Sequence, residues 1–232
     1  MKILIRSFQA IKHPEICELF LKGHVQVLTD YGITNITTNN RQWIDAPNVY
    51  VVVALNEDRS KIVGGVRVHI ADGKEELPLE KAIGRMDQRI HNIINTYIEK
   101  GTGELCGLWN AKEVAGFGIS LILVRAGISI VNQINLTSLF TICAEYSLPM
   151  VKKVGFTVEE SIGRNGEFVY PNENYIARVL RKMNAITLDV TEQYDKERII
   201  SLRENPVQVF NETGPRGEVE IDYNLILSDF NK

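Results

Sequence analysis

The sequence predicts a mixed α/β domain in which a central, mixed and twisted sheet is flanked by helices. Three observations lead there. Residues 49–55 and 61–70 are β-branched runs separated by Asn56-Glu57-Asp58, the pattern of a buried hairpin. Residues 104–110, 117–134 and 138–144 alternate strand, helix and strand, which favours a parallel central pair. Over 232 residues the chain is 44% hydrophobic and 24% charged, a balance that supports one main core rather than a disordered chain.

Taken in order, residues 2–8 alternate like a strand, and residues 14–31 place Ile16, Leu19, Phe20, Val27 and Leu28 at helical spacing, with Gly32 as the stop. The polar stretch 34–47 reads as loop before the hairpin. Residues 71–101 turn helical, with Met86, Ile90, Ile93, Ile94 and Tyr97 on one face, and read as an insertion before the next strand. After the strand at 104–110 comes the longest apolar segment, broken by Arg125, Asn132 and Gln133. It therefore reads as a buried helix rather than a membrane span. A short helix is expected at 148–154, and Gly155-Phe156 opens a further strand. Arg164-Asn165-Gly166 marks a turn, followed by a strand at 175–183, a polar helix at 192–204 and a final strand at 217–227. The division expected is one domain at 1–184 and a helix–strand extension at 185–232 packed on the same domain.

A net charge of −3, with only small basic clusters at Lys152-Lys153 and at 178–182, gives no electrostatic footprint for nucleic acid. Cys17, Cys106 and Cys143 lack paired spacing and read as reduced core residues rather than a disulfide frame or zinc site. His13, His24, His69 and His91 are scattered without metal-ligand spacing, so no metal is expected and all four read as surface or packing residues. The start of the chain lacks the long apolar stretch of a secretory signal, and the expected location is cytoplasmic, with no membrane partner.

The segment 105–123 reads LCGLWNAKEVAGFGISLIL: a strand, a linker, a Gly-x-Gly turn and a long helix. A helix N-terminus presents unpaired N–H groups and about half a positive charge, so it can hold a diphosphate without a basic side chain. The plain alternative is that Gly116 and Gly118 only permit a tight connection. The spacing matches neither a P-loop, which needs Lys followed by Ser or Thr, nor a three-glycine dinucleotide fingerprint.

Ala115-Gly116-Phe117-Gly118-Ile119-Ser120 resembles the phosphate-binding turn of the GNAT acyltransferase family, Gln/Arg-x-x-Gly-x-Gly/Ala, in the same place after the family's fourth strand. The resemblance runs in order from Val49 to Met183, including the Gly155-Phe156 start of the family's sixth strand, and more weakly over residues 1–32. It implies a GNAT-like fold, acetyl-CoA as cosubstrate and N-acetyl transfer to the amine of a small molecule or amino acid. It also implies a pantetheine arm lying between splayed fourth and fifth strands, lined by Leu108, Trp109 and Asn110. Trp109 has a second reading as a core aromatic. Two positions depart from the family pattern: Ala115 stands where Arg or Gln is usual, and Ser120 where Gly or Ala is usual.

The resemblance assigns the base to Glu104, six residues before Asn110 on the predicted strand, where some family members carry a glutamate. A strand-end carboxylate in solvent or in an ion pair is the competing reading. The family's thiolate-protonating tyrosine position holds Val151 here, which leaves Tyr146, five residues earlier, as the acid if its loop turns inward. Cys143 adjoins the expected cleft, but no neighbouring His lowers its pKa for a ping-pong route. A non-catalytic acyl-CoA-binding module on the same scaffold is the alternative, motivated by Ala115 and Val151. An acyl-homoserine-lactone synthase shares the general fold but is set aside, because the glycine turn fits the acetyltransferases better. Residues 185–232 are expected to pack on the sheet edge or to make a homodimer contact.

Overall fold

The computed structural model describes residues 1–33 and 40–227, so the first part of the expected loop, 34–39, and the end of the chain lie outside the described residues. A mixed sheet runs through the molecule. Strand β1 (Lys2–Gln9) pairs antiparallel with β2 (Val49–Asn56), β2 with β3 (Ile62–Ile70), and β3 with β4 (Thr102–Asn110). β4 then pairs parallel with β5 (Ser138–Ala144), as the alternation predicts, and β5 pairs antiparallel with β8 (Ile176–Lys182). Two short strands, β6 (Thr157–Val158) and β7 (Glu167–Val169), both lie along β8.

Helix α1 (Pro14–Asp30) covers one face of β3 and β4. Its buried stripe is Cys17, Phe20 and His24, while Leu19 is exposed, so the face turned to the sheet is rotated from the one the apolar spacing suggests. The insertion forms two short helices, α2 (Pro78–Ile83) and α3 (Arg89–Ile98), which pack with Phe140 and Val179 on the same side. Met86 falls between them and is exposed, outside the expected apolar face.

Helix α4 (Ile119–Ser129) lies on the opposite face against Val66, Val68 and Leu105. It continues only as a short 3-10 turn through residue 134 rather than as one helix from 117 to 134. It is apolar nearly all round because it is sandwiched between the sheet and α6 (Gln193–Glu204). The short helix α5 (Leu148–Lys153) follows β5.

Beyond α6 the chain makes a hairpin, β9 (Val207–Gly214) and β10 (Gly217–Asn224), in which β10 pairs parallel with β1 and β9 is the edge strand. Strand β9 has no counterpart in the sequence reading, because its apolar residues alternate only over a short polar stretch. Arg125, which interrupts the apolar helix, is the tie between these parts. Its guanidinium reaches Asp195 Oδ1 of α6 at 2.6 Å and Glu212 Oε2 of β9 at 3.0 Å, and Arg198 Nε bonds the same Glu212 at 3.2 Å. Among the described residues no helix is long and apolar enough to cross a membrane.

Candidate functional site

The parallel ladder between β4 and β5 is short. Thr102, Gly103 and Glu104 face Ser138, Leu139 and Phe140, and no further pairs follow. Past Glu104 the strands separate, and the Thr141 hydroxyl donates across the gap to the Leu105 carbonyl at 2.8 Å. The gap is a cavity that passes between the strands. Leu105, Leu108, Val124 and Val151 line it toward α4, and His24, Leu28 and Glu104 toward α1.

Strand β4 contains a bulge that decides which side chains meet this gap. Gly65 faces Trp109 and Arg67 faces Cys106, so Val66 alone stands opposite Gly107 and Leu108. Gly107 has φ +61, and a Cβ there would lie 2.8 Å from Arg67 Nε, so both the backbone conformation and the guanidinium beneath it require glycine. The extra residue shifts the alternation by one. Glu104, Cys106 and Trp109 therefore share the α1 face, while Leu105, Leu108 and Asn110 face α4.

Glu104 is fully buried. Its Oε2 accepts the Leu79 N–H at 2.8 Å, and its Oε1 has no hydrogen-bond partner. Burial pushes its carboxyl up to about 8, against the opposing pull of the Leu79 N–H and of Arg67. Tyr146 lines the same cavity but is 81% exposed, at the rim. Cys143 also lines it, with burial and Glu145 pushing its thiol up to about 12, far from a thiolate at neutral pH.

Leu108 is in the cavity wall as expected. Trp109 is not among the residues of that wall: its indole lies under α1, against Phe20, with ring centroids 5.7 Å apart, and a Cβ on Gly23 would be 2.2 Å from it. The Asn110 side-chain oxygen accepts the Ser120 hydroxyl at 2.5 Å, which ties the end of β4 to the first turn of α4.

Gly118 caps α4 with φ +77, a left-handed conformation that glycine adopts without strain, and its carbonyl accepts the Ile122 N–H at 3.1 Å. The N–H groups of the following first turn, from Ile119 and Ser120 onward, lack intrahelical acceptors. Ile119 itself is buried core, and Phe117 packs partly against the same cluster.

The C-terminal hairpin docks on this turn. The Arg216 N–H donates to the Gly116 carbonyl at 3.0 Å, its Nη1 to the Ala115 carbonyl at 3.2 Å, and its guanidinium lies 5.1 Å from the Phe117 ring centroid. A cation thus sits beside the position where Ala115 provides none.

A second cavity opens on the α1 face and shares Pro78 with the first. Trp43, Arg67, His69 and Lys81 line it. Arg67 is 1% exposed, its guanidinium 4.2 Å from the Trp43 ring centroid. His69, directly opposite Glu104 in the ladder, is held neutral by burial and by Arg67, and its Nε2 has no partner. His24, in the first cavity, is driven down to about 3 by the same two causes, and its Nδ1 has no partner. Neither histidine nor Arg67 carries a sequence signal of its role, because each is placed by contacts between segments far apart in the chain.

No family model matches the sequence, and no curated protein matches it. Solved structures do match in fold. FeeM, an N-acyl amino acid synthase from uncultured soil microbes, superposes with a TM-score of 0.61 at 12% identity, over 84% of this chain and 98% of that one. BjaI, a CoA-dependent acyl-homoserine lactone synthase solved with SAM and isopentyl-CoA, matches with a TM-score of 0.53 at 13% identity over 96% of both chains. NAA60 of Arabidopsis thaliana in complex with acetyl-CoA matches at 0.51 and 14% identity, over 78% of this chain and 97% of that one. At such identities the likeness establishes the fold, which is that of the GNAT acyl-CoA N-acyltransferases.

Proposed function

We propose, on the premise that the chain has the GNAT acyl-CoA N-acyltransferase fold, that it transfers an acyl group from a CoA thioester to the amine of a small molecule or amino acid. The observation that carries the reading is Glu104. A buried carboxyl with one unbonded oxygen stands where β4 and β5 part, in the wall of a cavity that Val124 of α4 lines on its far side.

In this reading the CoA diphosphate lies on the N–H groups of the first turn of α4, with Arg216 supplying the charge that Ala115 lacks. The pantetheine arm runs between β4 and β5 along Leu108. In the same reading, peptide N–H groups of β4 beyond Glu104, where the ladder with β5 ends, bond the thioester oxygen as negative charge develops on it. The acceptor enters from the α1 face.

An amine with a lysine-like pKa costs roughly 4–5 kcal/mol to deprotonate at pH 7. Glu104, with its affinity for a proton raised toward neutrality, takes that proton. The amine nitrogen attacks the thioester carbonyl, the C–S bond breaks and the CoA thiolate leaves. Tyr146 at the rim is the candidate proton donor to the thiolate. A thiol pKa near 8.5 makes this second transfer the less demanding one, so turnover without a buried acid at Val151 is chemically reasonable.

Acetyl-CoA is the simplest donor for this site. The likeness to FeeM and BjaI, which extends over more of the chain than that to NAA60, returns longer acyl groups and acyl-homoserine-lactone chemistry to consideration. The test is thiol release from acetyl-, butyryl- and octanoyl-CoA against a panel of amino acids and amines, with Glu104→Gln alongside. Amine-dependent release that is lost in Glu104→Gln while acyl-CoA binding persists supports the reading; binding without release by the wild type favours the non-catalytic alternative.

A further inference from the structure

The cavity between β4 and β5 holds two buried polar groups whose hydrogen-bonding capacity is unfilled, and only one of them has a role in the transfer above. Glu104 Oε1 is one. His24 Nδ1 is the other: the residue is 4% exposed, lines the same cavity and carries no hydrogen bond at that nitrogen. Buried polar atoms are nearly always bonded, so an orphan at a cavity wall takes its partner from what enters the cavity, a water or a polar group of a ligand.

The geometry places His24 on the acceptor side. It belongs to α1, whose stripe Cys17, Phe20, His24 and Leu28 faces the sheet at helical spacing, and its ring meets Phe20 edge-on at 6.2 Å between centroids. The α4 turn, where the CoA diphosphate would be held, lies on the other face of the sheet. Around His24 the cavity is lined by Leu28, Ile33, Tyr170, Pro171 and Tyr175, groups suited to an apolar body. Arg67 acts electrostatically on both His24 and Glu104, and burial together with that guanidinium keeps the imidazole neutral. A neutral imidazole offers one donor and one acceptor nitrogen.

We infer that His24 is a positioning residue for the acceptor. It hydrogen-bonds a second polar group, a hydroxyl or N–H, of an amine whose body is apolar, and so presents the reacting nitrogen to Glu104. The inference rests on the acyl-transfer reading and adds to it the class of acceptor. It also fits the cost of the arrangement, since a leucine at position 24 would fill the same space without leaving a polar atom unbonded.

The experiment measures thiol release from the best acyl-CoA with matched amine pairs that differ by one hydroxyl: tyramine against 2-phenylethylamine, serine against alanine, and 3-aminopropanol against propylamine. Each is run with wild type, His24→Phe and His24→Gln, and acyl-CoA affinity is measured by calorimetry on all three. The expected result is at least a fivefold preference in kcat/KM for the hydroxylated member of one or more pairs. His24→Phe abolishes that preference through a rise in KM, and His24→Gln partly restores it. Acyl-CoA affinity stays within twofold throughout.

Absence of any preference in the wild type, or its persistence in His24→Phe, overturns the inference. A parallel loss of acyl-CoA affinity in His24→Phe also overturns it, assigning the residue to the acyl chain or to packing. Failure of the wild type to release thiol with every amine overturns the acyl-transfer reading itself, and this inference with it.

Discussion

The Leu79 N–H donates to Glu104 Oε2 at 2.8 Å, so the start of α2, a segment inserted between β3 and β4, holds the buried carboxyl of β4 in place. That bond leaves the other oxygen facing no partner. One oxygen is fixed and the second is available, an arrangement suited to proton transfer.

The pH dependence of activity follows from that carboxyl. Only the ionised form accepts a proton, so kcat/KM should rise with pH and level off above about 8. Glu104→Gln should lower kcat by roughly 10²–10⁴ and leave acyl-CoA affinity within a few-fold, as read by steady-state kinetics and calorimetry.

Stability should move in the opposite direction. The native protein keeps the Glu104 proton between the ordinary 4.5 and about 8, a window in which the unfolded chain has lost it. The native state therefore binds more protons, and this group's contribution falls as pH rises, by up to about 1.4 kcal/mol per pH unit. Urea denaturation from pH 5 to 9 should show the decline in wild type and a flatter profile in Glu104→Gln.

Trp109 separates packing from binding. Its ring fills the space between Phe20 and Gly23 under α1, so Trp109→Ala should cost roughly 3–5 kcal/mol in stability. The folded fraction should bind acyl-CoA with unchanged affinity by calorimetry, whereas a drop in affinity would return Trp109 to the cofactor site.

The difference between Trp109 and Gly118 shows what the sequence can convey. The glycine turn is local, the last part of the eight residues that join β4 to α4, and its position could be read directly. The place of Glu104 on its strand was legible too, while its role as base came from the family resemblance alone. The orientation of Trp109 was not legible, because the bulge at Gly107 slips the alternation by one residue and its local trace in LCGLWN is a single glycine. His24, Arg67 and Arg216 come to the site from α1, β3 and the C-terminal hairpin, and only the folded sheet brings them to β4. The C-terminal hairpin was half legible: its second strand was expected, but its parallel pairing with β1 joins the two ends of the chain.

Arg125 should be indispensable to that C-terminal layer. Arg125→Met leaves buried Asp195 without its cation and Glu212 with Arg198 alone, at a cost of about 3–5 kcal/mol. Thermal melts should fall accordingly, with faster hydrogen exchange in α6 and β9.

Arg216 should be felt by the diphosphate alone. Arg216→Ala is expected to weaken acyl-CoA binding by about tenfold and to leave acyl-pantetheine, which lacks the diphosphate, unaffected. Equal effects on both ligands would remove Arg216 from the phosphate site.

The most direct test of the central claim, that the α4 turn and the gap between β4 and β5 hold a CoA thioester, is calorimetric titration of acetyl-CoA and octanoyl-CoA into wild type and Gly118→Trp. The account predicts micromolar binding of at least one thioester, with a free nucleotide control binding far more weakly, and loss of that binding in a folded Gly118→Trp protein. No binding of either thioester by the wild type, or undiminished binding by Gly118→Trp, would contradict it.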